Sequence, residues 1–360
     1  MAFGRLAGGL AFCSEAALRV FAGRVLRQTL IDALRQEGHA FTDLRFHAWF
    51  SGLTTLSDEP PRHARPARAL CHTILTEITN WSGSALPFVA AQLREAMLAP
   101  SEIGRGDEHE EALRIVNAAR VLTSTLPDTH RQDLFADITS LRDALSADLD
   151  FAPPEATPPP LPGDRTLKAG ATTAPAPLWA IDIAYGRRLS QTHRLRIALP
   201  FPGLIRPSAI VGSSPSSLDI MQPQAMREVM ERMTEWLTDA ARLAAFAHQP
   251  VHGRRANSRA PTIMELLAGF GPLRSRQMET ALGATRVGVA GMIASWDTVG
   301  AISRTTISGS HLLSLRTPAT ETTQDAPPHS DAAFSAEALD DYNASLEAID
   351  RLLSQRHFRD

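Results

Sequence analysis

His39, Asp43 and His47 recur at four-residue intervals, a spacing that on one continuous helix would stack two imidazoles and a carboxylate as metal ligands. Gly38 and Thr42 break that helix: the glycine suits a helix end and the threonine suits the cap of the next, leaving His39 between them. His109 lies in Asp107-Glu108-His109-Glu110-Glu111, but Leu113 stands where a second histidine would complete a helical zinc motif. The acids around it suit the positive end of a helix instead. Cys13 and Cys71 are far apart and lack metal-type spacing, so neither a disulfide framework nor a zinc site is expected. Lys168 is the only lysine, which excludes the Gly-x-x-x-x-Gly-Lys phosphate loop and leaves arginine, which neither titrates near neutrality nor forms Schiff bases, to supply basic character. Gly212-Ser213-Ser214-Pro215 does not have the Gly-x-Ser-x-Gly spacing of a nucleophile elbow. The expectation is a protein without catalytic residues, metal or cofactor. An unrecognised site around His39, Asp43 and His47 is the enzymatic alternative.

Arginine points to a different chemistry. Arg254, Arg255, Arg259, Arg274, Arg276, Arg286, Arg304 and Arg316 gather near the C-terminal third against Glu265, Glu279 and Asp297, a local positive excess on a chain of net charge -3. Such an excess attracts phosphate backbones without choosing among sequences. The elements that must position these arginines are legible from Ala260 to Arg316. Thr262 and Glu265 have the spacing of a capping box, followed by Ile263, Met264, Leu266, Leu267 and Phe270 as an apolar face and Gly269 and Gly271 as a stop. Ser275 is the expected cap of a second helix carrying Met278 and Leu282, and Gly283 permits a tight turn. Thr285 caps a third helix with Val289, Met292, Ile293 and Trp296 inward. The runs Ile302 to Ile307 and His311 to Leu315, joined by Ser308-Gly309-Ser310, read as a β-hairpin.

The phrase from Met278 to Thr285, with Val289 and Gly300-Ala301-Ile302, resembles the helix-turn-helix and wing of bacterial winged-helix regulators. The family usually has a small residue where Glu279 stands, so either the packing is looser there or the glutamate points outward. With Arg27, Asp32, Gly38 and the Asp43 to Leu53 stretch, the chain also resembles uncharacterised bacterial proteins with an N-terminal helical domain of unknown function ahead of a C-terminal winged helix. These resemblances imply double-stranded DNA as partner and Arg274, Ser275, Arg276, Thr285, Arg286, Arg304 and Arg316 as DNA-binding residues. They imply occupancy as the mechanism, in regulating transcription or mobile-element functions. The third helix offers few polar groups to a major groove, since Val287, Gly288, Ala290 and Gly291 follow Arg286. A winged helix that assembles a protein complex without touching DNA is therefore the alternative.

At 360 residues and 44% hydrophobic, the chain is long enough for two or three domains with cores of their own. No apolar run approaches the ~20 residues of a membrane span. Phe12 before Cys13 is wrong for lipoprotein cleavage, and Ser14-Glu15 reads as a helix start, so a cytoplasmic location without membrane attachment is expected. Helical patterns run from Ser14 to Glu37, from a Thr42 cap to Leu53, and over Ala67 to Ile78, Leu86 to Leu98, Glu108 to Leu122 and Gln132 to Leu149. The fold class expected is mainly α: a helical domain at 1-150, a Pro-rich linker at 151-177, and a mixed segment at 178-257 ending in a long amphipathic helix. A winged helix-turn-helix with a small β-hairpin at 258-316, a flexible connector at 317-333 and a C-terminal helix at 334-360 complete it. From Leu178 to Leu218 the pattern fits strand or helix. Pro223 is the expected start of the long helix, whose stripe of Met226, Val229, Met230, Met233, Leu237, Ala240 and Ala244 suits core or dimer contact. Leu339, Tyr342, Leu346, Ile349 and Leu353 form a narrow seam that either pairs two chains into a homodimer or folds back on its own. An isolated fragment from about Pro250 to Thr317 would include a three-helix core and hairpin of its own, and so is expected to fold and to bind duplex DNA weakly.

Overall fold

The apolar stretch after Ser14 becomes a long helix that the other helices surround. In the computed structural model the described residues are 2–58, 64–83, 85–101, 108–126, 134–151, 176–192, 194–205, 215–250 and 259–316. Most of the proline-rich linker with Lys168, the Gly212 to Ser214 stretch, Arg254, Arg255, the 317-333 connector and the terminal helix with its Leu339 to Leu353 seam lie outside the described residues. Helix α1 (Ala2–Phe12) precedes α2 (Glu15–Gln36), whose first turn is capped by the Ser14 hydroxyl accepting from the Ala17 N–H at 3.2 Å. Val20, Phe21, Val25, Leu26, Leu30 and Leu34 of α2 are all buried. A helix apolar on several sides must be sheathed by others. Here α4 (Ala67–Thr79), α5 (Ala85–Ala96), α8 (Leu178–Gln191), α9 (Pro215–Ala247) and α10 (Ala260–Gly269) do so. Helix α3 (Asp43–Phe50) is capped by Thr42 as its sequence predicts, and Gly38 ends the preceding turn at φ 91°. Helices α6 (Glu108–Thr125) and α7 (Leu134–Ala147) complete the body, α6 against α4 and α8.

Two readings of the middle of the chain resolve. The Leu178 segment is helical, with Leu178, Trp179, Ile181, Ile183 and Tyr185 all buried. With residues hidden on every side, alternation of apolar residues carries no information about strand or helix. The long helix begins at Pro215, ahead of the expected start at Pro223, and its Met226, Val229, Met230, Met233 and Leu237 stripe lies in the core, where α9 meets α1 and α2. Among the described residues, no helix is long and apolar enough to cross a membrane.

The contact that joins the C-terminal part to this body is the crossing of α10 over α2. A Cβ on Gly269 would come within 2.5 Å of the Val20 carbonyl oxygen, and one on Gly23 within 2.9 Å of the Phe270 nitrogen. The two backbones therefore touch, which only paired glycines permit. Beside the crossing, Glu265 does not close the expected capping box with Thr262. Its side chain is 3% exposed and accepts from Arg19 Nε at 2.7 Å and Nη2 at 3.1 Å, with His248 Nε2 at 2.7 Å. A planar guanidinium fork outcompetes a lone amide for a carboxylate, and the Thr262 N–H that a capping box would use donates to the Arg259 carbonyl at 3.1 Å instead. The residues up to Arg316 accordingly form one compact unit, and no gap in packing separates 258-316 from the N-terminal helices.

Gly269→Ala tests the crossing. Alanine's better helix propensity would add about 1 kcal/mol, but forcing a methyl group against backbone costs about 1–3 kcal/mol. The variant should therefore unfold at lower urea. Gly291→Ala, where a Cβ meets nothing within 4 Å, should instead gain stability. Similar shifts in the two variants would show that the helices do not touch there.

Candidate nucleic-acid interface

After Gly271, which adopts φ 108°, Leu273 pairs with Leu313 through reciprocal backbone hydrogen bonds of 3.0 and 2.8 Å. Helix α11 (Ser275–Leu282), a turn at Gly283, helix α12 (Arg286–Asp297) and strands β1 (Ile302–Ile307) and β2 (Ser310–Leu315) follow. The antiparallel pairing runs from Ile302 opposite Leu315 to Ile307 opposite Ser310. Ser308 and Gly309 both have positive φ, 47° and 72°, as a two-residue hairpin turn needs.

Gly283 adopts a left-handed φ of 55°, and its neighbour Ala284 donates to the Glu279 carbonyl at 3.0 Å. Thr285 caps α12 as predicted, its hydroxyl accepting from the Gly288 N–H at 3.2 Å. Val289, Ile293 and Trp296 are buried, and Trp296 Nε1 donates to the Ala260 carbonyl at 3.1 Å, tying α12 to the start of α10. Glu279, expected to loosen the packing or point outward, is half-buried.

Ser275 does not cap α11. It is the first helical residue and exposed, while Arg274 occupies the cap position. The capping group is the Gln277 side chain, whose Oε1 accepts from the Arg274 N–H at 2.9 Å. Gln277 is fully buried. Its Oε1 also accepts from Ser51 Oγ at 2.7 Å, and its Nε2 donates to the carbonyls of Ala96 at 3.0 Å and Phe50 at 3.3 Å. One amide thus fixes the start of α11 to the C-terminal ends of α3 and α5. The signal for it was a glutamine three residues after the cap position.

The arginines divide into two sets. Arg274 is half-buried, with Nη1 on the Ser51 carbonyl at 3.2 Å and Nη2 on Ser310 Oγ at 3.4 Å, so it braces the hairpin turn against α3. Arg259 donates to the Leu282 carbonyl at 2.8 Å, and Arg304 is paired with Asp297. Arg276, Arg286 and Arg316 are exposed and make no side-chain hydrogen bond or ion pair among the described residues. Thr285 is also exposed. The outward face of α12 beyond Arg286 consists of Val287, 83% exposed, with Ala290, Gly291 and Ala294.

The His39, Asp43 and His47 set is dispersed among other partners. His39 Nε2 lies 3.5 Å from the Arg65 carbonyl, and Asp43 pairs with Arg35 at 3.2 Å. His47 is buried edge-on to Phe270, and burial, reinforced by the nearby Arg27 charge, pushes its pKa down to about 3. No group of three metal-ligating side chains occurs among the described residues. No model of a known protein family matches the chain, and no curated protein is significantly similar to it in sequence.

Gln277→Ala should lower stability by about 2–4 kcal/mol in urea unfolding, because it leaves a cavity and strands buried groups of Ser51 and Ala96. Ser275→Ala should stay within about 0.5 kcal/mol of wild type. A loss of ~1 kcal/mol at Ser275 would mean that its hydroxyl caps the helix after all.

Proposed function

We propose that residues 258-316 form a winged helix-turn-helix that binds double-stranded DNA, and that the protein regulates transcription or mobile-element functions by occupying its site. The observation that carries this reading is the order of elements: α10, the Leu273 segment paired to β2, α11, the Gly283 turn, α12 and the hairpin. In that arrangement α12 enters the major groove with Thr285 and Arg286 leading, and the hairpin is the wing. The exposed guanidinium groups of Arg276, Arg286 and Arg316 are the ones free to meet phosphates or base edges. Arg304 reaches DNA only by leaving Asp297. Arg274 supports the wing from within the protein.

A second reading has the same surface docking another protein. It is favoured by the small, apolar outward face of α12, where Val287, Ala290, Gly291 and Ala294 offer a groove little hydrogen bonding.

Filter binding of the full chain to genomic duplex fragments at two salt concentrations tests the proposal. Affinity should fall as salt rises. Arg276→Ala should weaken all duplexes alike and flatten the salt slope by about one, whereas Arg286→Ala should cost about 1–3 kcal/mol on preferred fragments and less on random DNA. Absence of salt-sensitive binding to any duplex would leave the protein-docking reading.

A further inference from the structure

Helices α6 and α8 pack side by side, and a half-open surface pocket of about 260 Å³ is lined by residues of both. Its lining includes three arginines, Arg120, Arg187 and Arg188, and among the described residues no carboxylate. Arg120 and Arg187 share a single acid: Glu77 Oε2 accepts from Arg120 at 2.8 Å and Oε1 from Arg187 at 2.9 Å. Two guanidinium groups on one carboxylate leave a positive charge over. Glu77 is itself held by Trp81 Nε1 at 3.0 Å, so both arginines are anchored at one end with further N–H groups to offer. Arg188 is oriented by the carbonyls of Thr123 at 3.0 Å and Leu126 at 2.9 Å. Val121 and Ala184 supply an apolar wall, and the exposed Gln191 adds an amide.

We propose that this pocket binds a small phosphate monoester. Guanidinium forks converging from two helices suit an anion with three acceptor oxygens better than a carboxylate with two. The volume lies just below the ~300–1,000 Å³ usual for drug-sized ligands, which suits a compact metabolite. The DNA-binding reading plays no part in the assignment, since none of these residues belongs to the 258-316 segment.

Calorimetric titration of the full chain with ribose 5-phosphate, AMP, inorganic phosphate and succinate tests it. Ribose 5-phosphate should bind saturably, more weakly at high salt, and at least about tenfold more tightly than succinate. AMP binding as well as ribose 5-phosphate would extend the ligand class to nucleotides, whereas its exclusion would restrict the class to sugar phosphates. Arg120→Glu should weaken binding by about tenfold or more. Because that change also disturbs Glu77, Ser124→Glu provides a second variant: it places a carboxylate in the lining at an exposed position and should have the same effect with an unchanged melting temperature. No saturable binding of any phosphate by the wild type, undiminished affinity in folded Ser124→Glu, or succinate binding equal to ribose 5-phosphate would overturn the proposal.

Discussion

Helices α2 and α10 meet backbone to backbone at Gly23 and Gly269, and the placement of everything after Ala260 follows from that approach. Closeness of this kind excludes any side chain at the crossing, so the helices are held by what flanks it: Phe270 against Phe46 and Phe50 on one side, and the Arg19 fork on Glu265 on the other. A carboxylate that is 3% exposed is costly to strand, since breaking a buried pair from one side typically costs about 3–5 kcal/mol. Van der Waals contact and charge pairing therefore favour one register of α10 on α2.

From that register the candidate interface is built outward in a chain of buried ties. Gln277 fixes α11 to the ends of α3 and α5, Trp296 returns α12 to the start of α10, and Leu273 pairs with Leu313 to dock the hairpin. Groups presented on such elements keep their positions better than groups on loops. The same packing sorts the charges. Arginines that brace the structure, such as Arg274 and Arg259, donate to backbone carbonyls, while Arg276, Arg286 and Arg316 are exposed without a side-chain partner among the described residues.

Features set by local chemistry were legible in the sequence. The caps at Ser14, Thr42 and Thr285, the glycine stops at Gly38 and Gly283 and the hairpin each depend on residues within a few positions of one another. What escaped depends on distant partners. Glu265 has the spacing of a capping residue, but Arg19, 246 residues away, claims it. Arg274 donates to the Ser51 carbonyl, a partner 223 residues away that no local pattern announces. Helix α8 hid because burial on all sides erases the periodicity that separates helix from strand. Arg304 shows the same limit at shorter range, since Asp297 neutralises it across the connection from α12 to β1.

Because its helices pack on α2, α5 and α9, the 258-316 segment should depend on the N-terminal helices to fold. Excision would expose the faces of α10 that cover α2 and α9 and the face of α11 that covers α5. A fragment near 60 residues is already marginal in the surface it can bury. Circular dichroism of the isolated fragment during thermal unfolding, compared with the full chain, measures this directly. The fragment should lose its helix signal in a broad, non-cooperative transition. A sharp transition with native helix content would contradict that dependence and restore a self-sufficient domain.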